Sequence, residues 1–175
     1  MHRLTNVAVP NCVITLGVQA FYGCTALTNV TIGNRIANIG NYAFFYCPVL
    51  KAASFLGNAP SLGYDVFDVN NNVTVYYLPG TTGWGSMLGT ARTAPWVLPY
   101  PLILTTAPGF GFQSNVFGFI ISWATNVPVV VEASTGLANP VWSSASTNNL
   151  TSGWSVFSDA GWTNSPTRFY RVRSL

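Results

Sequence analysis

Charge is the scarcest thing in this 175-residue chain: seven Lys and Arg with four Asp and Glu make up 6% of it, against roughly 25% in an ordinary soluble domain. A formal net charge of +3 spread so thinly argues against a nucleic-acid binder, which needs a concentrated basic face. The same scarcity weakens the repulsion that keeps copies of a protein apart, so self-association is expected. The one histidine is His2, at the terminus, and a Ser-His-Asp hydrolase needs its imidazole in a buried cleft. No run of about 18 apolar residues occurs, so no membrane span is expected. A glycine-rich phosphate loop and a zinc-ligand spacing are also missing. The GFGFQSN stretch after Pro108 is not followed by a helical pattern, and no cofactor is expected.

Paired carboxylates for glycosidic chemistry would have to come from Asp65, Asp68, Glu132 and Asp159. Asp65 and Asp68 sit near Asn70 to Asn72 and read as solvated turn residues; they lack the spacing of a calcium loop. The chain is therefore expected not to be an enzyme.

What is present is a repeat. Residues 4–26, LTNVAVPNCVITLGVQAFYGCTA, and 27–49, LTNVTIGNRIANIGNYAFFYCPV, align without a gap at an offset of 23. The pairs Leu4/Leu27, Thr5/Thr28, Asn6/Asn29, Val7/Val30, Asn11/Asn34, Gly17/Gly40, Ala20/Ala43, Phe21/Phe44 and Cys24/Cys47 are identical. A worn third copy places Leu50, Ala53, Phe55, Leu62, Gly63 and Phe67 on the same positions, and Val73, Tyr76, Leu78 and Pro79 fall on the places of Leu4, Val7, Val9 and Pro10 before the pattern stops, so three coils and a closing strand are expected. Such a period marks a solenoid, in which each coil buries its apolar face only against the next. Val7 and Val9 alternate with Ala8, the period of a half-buried strand. The glycine at 17 and 40 is expected where a side chain would obstruct, and Ala20-Phe21 is expected to form a short helical or 3₁₀ segment.

Cys24 and Cys47 would stack about 5 Å apart. A disulfide between two parallel side chains there has awkward geometry, and a ladder of small thiols is expected instead. A chain that opens inside a repeat leaves its first coil uncapped, so either it is a fragment or something else covers that edge. The candidate assembly edge is Leu4, Val7, Val9, Val13 and Leu16.

These residues resemble the BspA-like leucine-rich repeat, in which Leu-Thr-x-Val-x-Ile-Pro, Ile-Gly and Ala-Phe-x-x-Cys recur at this period. The resemblance covers residues 4–79. It implies a curved right-handed solenoid of the kind found in surface and secreted proteins, with no catalytic residues. This chain has fewer coils than longer members.

Residues 80–101 are rich in Gly, Thr and Pro, carry Trp84, Trp96 and Tyr100, and read as a linker between a solenoid at 1–79 and a second domain at 102–175. There, strands are expected at 102–105, 116–123, 129–133, 141–144, 154–159 and 169–173, with turns at Pro108-Gly109, Asn139-Pro140, Asn148-Asn149 and Ser165-Pro166. The whole is thus mainly β: a short leucine-rich-repeat solenoid followed by an immunoglobulin or fibronectin-III-like β-sandwich. In the last strand Tyr170 and Val172 face inward, and Arg171 and Arg173 face outward toward Glu132. VVEAST, NPVWS, FSDAGWTN and RFYRVR make residues 112–175 similar to a carboxy-terminal module of secreted bacterial repeat proteins, which implies a secreted or cell-surface location.

Two functions follow. The first is a non-enzymatic extracellular structural or adhesion protein mediating protein-protein contact, assembling with copies of itself head to tail into a filament or surface layer. The alternative is a carbohydrate-binding module in which Trp142, Trp154 and Trp162 stack on sugar rings, rather than filling a core.

Overall fold

The structure is a computed structural model that describes residues 4–67, 72–105, 110–165 and 167–175. His2, Asp68, Asn70, Asn71 and the turn residues Pro108, Gly109 and Pro166 lie outside those residues. The chain is mainly β, with almost no helix among the described residues, and divides into two compact units, Met1–Trp96 and Val97–Leu175.

Unit 1 is the solenoid. β1 (Asn6–Val9), β3 (Asn29–Ile32), β5 (Ala52–Phe55) and β7 (Thr74–Tyr77) pair in parallel as one sheet. The two-residue strands β2 (Thr15–Leu16), β4 (Asn38–Ile39) and β6 (Ser61–Leu62) form a second parallel ladder. Asn29 faces Asn6 and Ala52 faces Asn29, so the 23-residue repeat is the register itself. Each coil puts its alternate apolar residues into a common column: Leu27, Leu50 and Val73; Val30, Ala53 and Val75; Ile32 and Phe55 are all buried. A fully buried side chain of this kind is worth about 1.5–3 kcal/mol, but only because the neighbouring coil covers it.

The third side of each coil holds no helix, contrary to the expectation at Ala20-Phe21. Gln19 and Gly23 adopt left-handed φ of 57° and 69°, and their counterparts Tyr42 and Tyr46 do the same at 59°. Such a residue breaks a helix, so the amides are used differently. Gln19, Phe21 and Gly23 donate to the carbonyls of Asn41, Ala43 and Phe45 in the next coil.

Asparagines tie the turns between coils. Asn11 Oδ1 accepts the amide of Asn34, Asn41 Oδ1 that of Tyr64, and Asn58 Oδ1 that of Thr82, each at 2.9 Å. Phe21, Phe44 and Phe67 stack face to face at 5.2 and 5.7 Å. Cys24 and Cys47 are not joined by a disulfide, and Cys47 Sγ donates to the Phe21 carbonyl.

The fourth strand departs from the expected register. Thr74 faces Ala52, an offset of 22, so Val75 rather than Tyr76 enters the core. The segment expected as a linker carries two more strands of the same sheet, β8 (Met87–Leu88) and β9 (Ala91–Pro95). β9 runs parallel to β7, with Arg92 opposite Thr74, and β8 folds back antiparallel on β9. Trp84 packs edge-on against Phe55 and stacks on Tyr77, its indole N–H donating to Thr81.

Unit 2 has two sheets. β12 (Val116–Ser122) pairs with β10 (Leu102–Leu104) and β11 (Gly111–Gln113) on one side and with β15 (Trp154–Asp159) on the other. β13 (Pro128–Ser134) lies between β14 (Ser143–Asn149) and β16 (Phe169–Ser174). A 3₁₀ turn spans Trp162–Asn164. Phe119, Ile121 and Phe157 of the first sheet meet Val129 and Val131 of the second in one core, with Tyr170 and Val172 packed against it. Asn148 and Asn149, expected as a turn, end β14, because the chain reverses only at Thr151 to Gly153, where Gly153 takes a φ of 78°.

Candidate functional site

The edge of coil 1 is the first candidate. Among the described strands β1 has a hydrogen-bonded neighbour on one side only. Val9 and Leu16 are buried by coil 2, whereas Val7 and Val13 are half-buried and Leu4 is 43% exposed; its counterpart Leu27 is 0% exposed. Three further residues of coil 1 are large, apolar and exposed: Ile14, Val18 and Tyr22; Ala37, the counterpart of Ile14, is exposed within the stack as well, whereas Asn41 and Phe45, the counterparts of Val18 and Tyr22, are half-buried. The signal was available in the repeat, since the coil 2 face is built for cover that coil 1 does not receive from within unit 1.

Gly17 makes the edge specific. A Cβ on Gly40 would lie 2.7 Å from the backbone nitrogen of Val18, and one on Gly63 would lie 2.6 Å from that of Asn41. These glycines therefore admit the backbone of the preceding coil at a distance no side chain allows. Gly17 holds the same place in coil 1, and a Cβ there meets nothing within 4 Å.

The three tryptophans have separate surroundings. Trp142 lies half-buried beneath the Arg171 guanidinium, 4.4 Å from ring centroid to Cζ. Trp154 opens β15 and is exposed. Trp162 tilts against Phe112 at 4.5 Å and donates its indole N–H to the Asn115 carbonyl at 2.8 Å. Among the described residues no ring contact joins any two of the three.

Trp162 instead forms one wall of a small cavity, about 200 Å³, with Phe112, Phe117, Ser165, Arg168 and Tyr170. Phe117 stacks on Tyr170 at 5.2 Å and meets Phe112 edge-on at 5.5 Å. Behind these rings Asp159 accepts from the Tyr170 hydroxyl at 2.7 Å and the Gly161 amide at 2.8 Å, and pairs with Arg168 Nε at 3.1 Å. Burial, and then the Asp159 carboxylate holding its proton, push the Tyr170 hydroxyl far above its ordinary value of 10. Phe112 and Phe117 had no sequence signal beyond alternation along β11 and β12, and Arg168 lies just before β16.

The remaining described carboxylates are placed as follows. Glu132 takes both Arg171 at 2.7 Å and Arg173 at 2.9 Å, as the alternation along β16 predicted. The Arg173 and Arg171 hydrogen bonds hold its carboxyl below the usual 4.5, against an opposing contribution from burial. Asp65 is exposed in a turn. Among the described residues no three His, Cys, Asp or Glu converge to hold a metal, and no helix is long and apolar enough to cross a membrane.

Parallel coils at a 23-residue register, with Leu, Asn, Gly and Phe in columns, define unit 1 as a leucine-rich-repeat solenoid. Residues 1–84 match the family model described as the BspA type leucine rich repeat region, which is written for six copies. No curated protein and no solved structure matches the chain.

Proposed function

We propose that the chain is a non-enzymatic structural or adhesion protein of the cell surface or secreted fraction, acting through protein contact, and that the edge of coil 1 docks a β-strand of a second copy. Gly17 carries this reading. It keeps clear the space that Gly40 and Gly63 use to seat a neighbouring backbone, beside exposed Leu4 and Val18. Repeat proteins of this type are commonly surface-associated, which supports the location.

The far end of the solenoid offers a poor partner for that edge. β8 folds back over β9, and Pro95 has no amide to donate. Unit 2 offers open strands. We read it as an immunoglobulin or fibronectin-III-like sandwich on its pairings: β12 with β15 and β13 with β16 correspond to the central B–E and C–F pairs, with β14 beside C. The place of the last strand, beyond β16, has no occupant among the described strands. Coil 1 of one copy against β16 of the next is a heterologous contact, which propagates into a filament when it does not close.

Sedimentation velocity over a concentration series tests it. The wild-type chain forms concentration-dependent oligomers, and Gly17→Ala and Leu4→Glu remain monomeric while keeping the wild-type circular dichroism spectrum. A wild-type chain that stays monomeric throughout, or oligomers indifferent to both substitutions, overturns the proposal.

A further inference from the structure

We infer that the cavity walled by Phe112, Phe117, Trp162 and Tyr170 in unit 2 binds one pyranose ring of an uncharged glycan, with Arg168 and Ser165 as its polar contacts. Its volume of about 200 Å³ exceeds the roughly 150 Å³ that takes a benzene ring and falls below the roughly 300 Å³ where sites for larger ligands begin. It holds one six-membered ring.

The walls are fixed by one another. Phe112 leans on Trp162 at 4.5 Å and on Phe117 at 5.5 Å, and Phe117 stacks on Tyr170. Phe112 remains 65% exposed, so most of its apolar surface gains nothing from folding. A sugar's C–H face placed on these rings removes that surface from water.

The polar side of the cavity decides the ligand class. Arg168 spends Nε on Asp159 and Nη1 on the Gly161 carbonyl at 2.8 Å. Its Nη2, and the Ser165 hydroxyl, have no partner among the described residues. A proline or phenylalanine side chain seated here would bury both donors unpaired, at the full desolvation penalty. A pyranose carries a hydroxyl for each. The Arg168 charge is already matched by Asp159, so the cavity does not select an anion. This site differs from a planar row of Trp142, Trp154 and Trp162, because it uses Trp162 alone. It also lies wholly within unit 2, so its failure and that of the coil 1 contact are separable.

The test uses the ¹⁵N-labelled full chain, titrated in turn with the methyl glycosides of glucose, galactose, mannose and N-acetylglucosamine. The reporter is the Trp162 indole N–H resonance, assigned with Trp162→Phe. At least one glycoside is expected to shift it saturably with a Kd in the millimolar range. Phe112→Ala weakens that binding by about tenfold or more, Ser165→Ala weakens it measurably, and Trp142→Phe leaves it unchanged. The dispersed amide spectrum of each variant reports folding, and Ser165→Ala decides the matter if Phe112→Ala unfolds. No shift with any glycoside, binding indifferent to both pocket variants, or saturable binding of a polyproline peptide instead overturns the inference.

Discussion

Phe44 lies flat on Phe67, ring centroids 5.7 Å apart and planes within 8°, and its other face meets Phe21 at 5.2 Å. One side chain thereby joins three coils. Phe44→Ala opens a void between two rings that cannot close on each other without moving their backbones. A loss of about 3–5 kcal/mol is expected, read from urea denaturation of the whole chain. Phe21→Ala, whose ring is covered on one side only, is expected to cost distinctly less.

The two equivalent glycines should behave in opposite ways. Gly40→Ala forces a Cβ to 2.7 Å from the Val18 nitrogen, a contact with backbone that no rotamer relieves. It should destabilise by about 1–3 kcal/mol or more. Gly17→Ala meets nothing and is expected to lie within about 0.5 kcal/mol of wild type in thermal unfolding of dilute protein. Equal effects at the two sites would show that the glycines serve local conformation and not coil spacing.

Acid should weaken unit 2 through Glu132. Arg173 and Arg171 hold its folded carboxyl below 4.5, so the unfolded chain takes up a proton at a higher pH than the folded one. The stabilisation is present above 4.5 and is lost as pH falls through the depressed folded value. Melting temperature should decline over that range in the wild type and more weakly in Glu132→Gln; parallel curves would rule Glu132 out as the source.

Alkali acts on Tyr170 with the opposite sign. Its folded hydroxyl ionises far above 10, while the unfolded one ionises near 10. Its contribution is complete below pH 10 and is lost as pH rises through the folded value. Tyr170→Phe removes the hydrogen bond to Asp159 and should cost about 1–3 kcal/mol at neutral pH. The variant's stability above pH 10 should be the flatter of the two by guanidinium titration.

The solenoid was legible because its register and its sequence period are the same quantity: Asn6, Asn29 and Ala52 are neighbours in space at the spacing read from the chain. β9 was hidden because Thr74 and Arg92 are neighbours at a spacing of 18, and ARTAP shares no apolar pattern with TVYY. Helix at Ala20-Phe21 was a fair reading of composition, but Gln19 and Gly23 on either side take left-handed φ, and the amides of Gln19, Phe21 and Gly23 bond to the neighbouring coil instead of along a helix. In unit 2, the alternation of Tyr170 and Val172 and the Glu132 partnership followed from strand period alone. The cavity did not, since Phe112 and Trp162 meet only through the pairing of β11 and β15 on either side of β12.

The asparagine bonds between turns all point one way along the chain. Asn11 serves Asn34, Asn41 serves Tyr64, and Asn58 serves Thr82, so in each case the earlier coil supplies the oxygen and the later coil the amide. The backbone bonds of the third side run the opposite way, from Gln19, Phe21 and Gly23 of the earlier coil to carbonyls of the later one, so each coil supplies its neighbour with both donors and acceptors and adjacent coils complete each other.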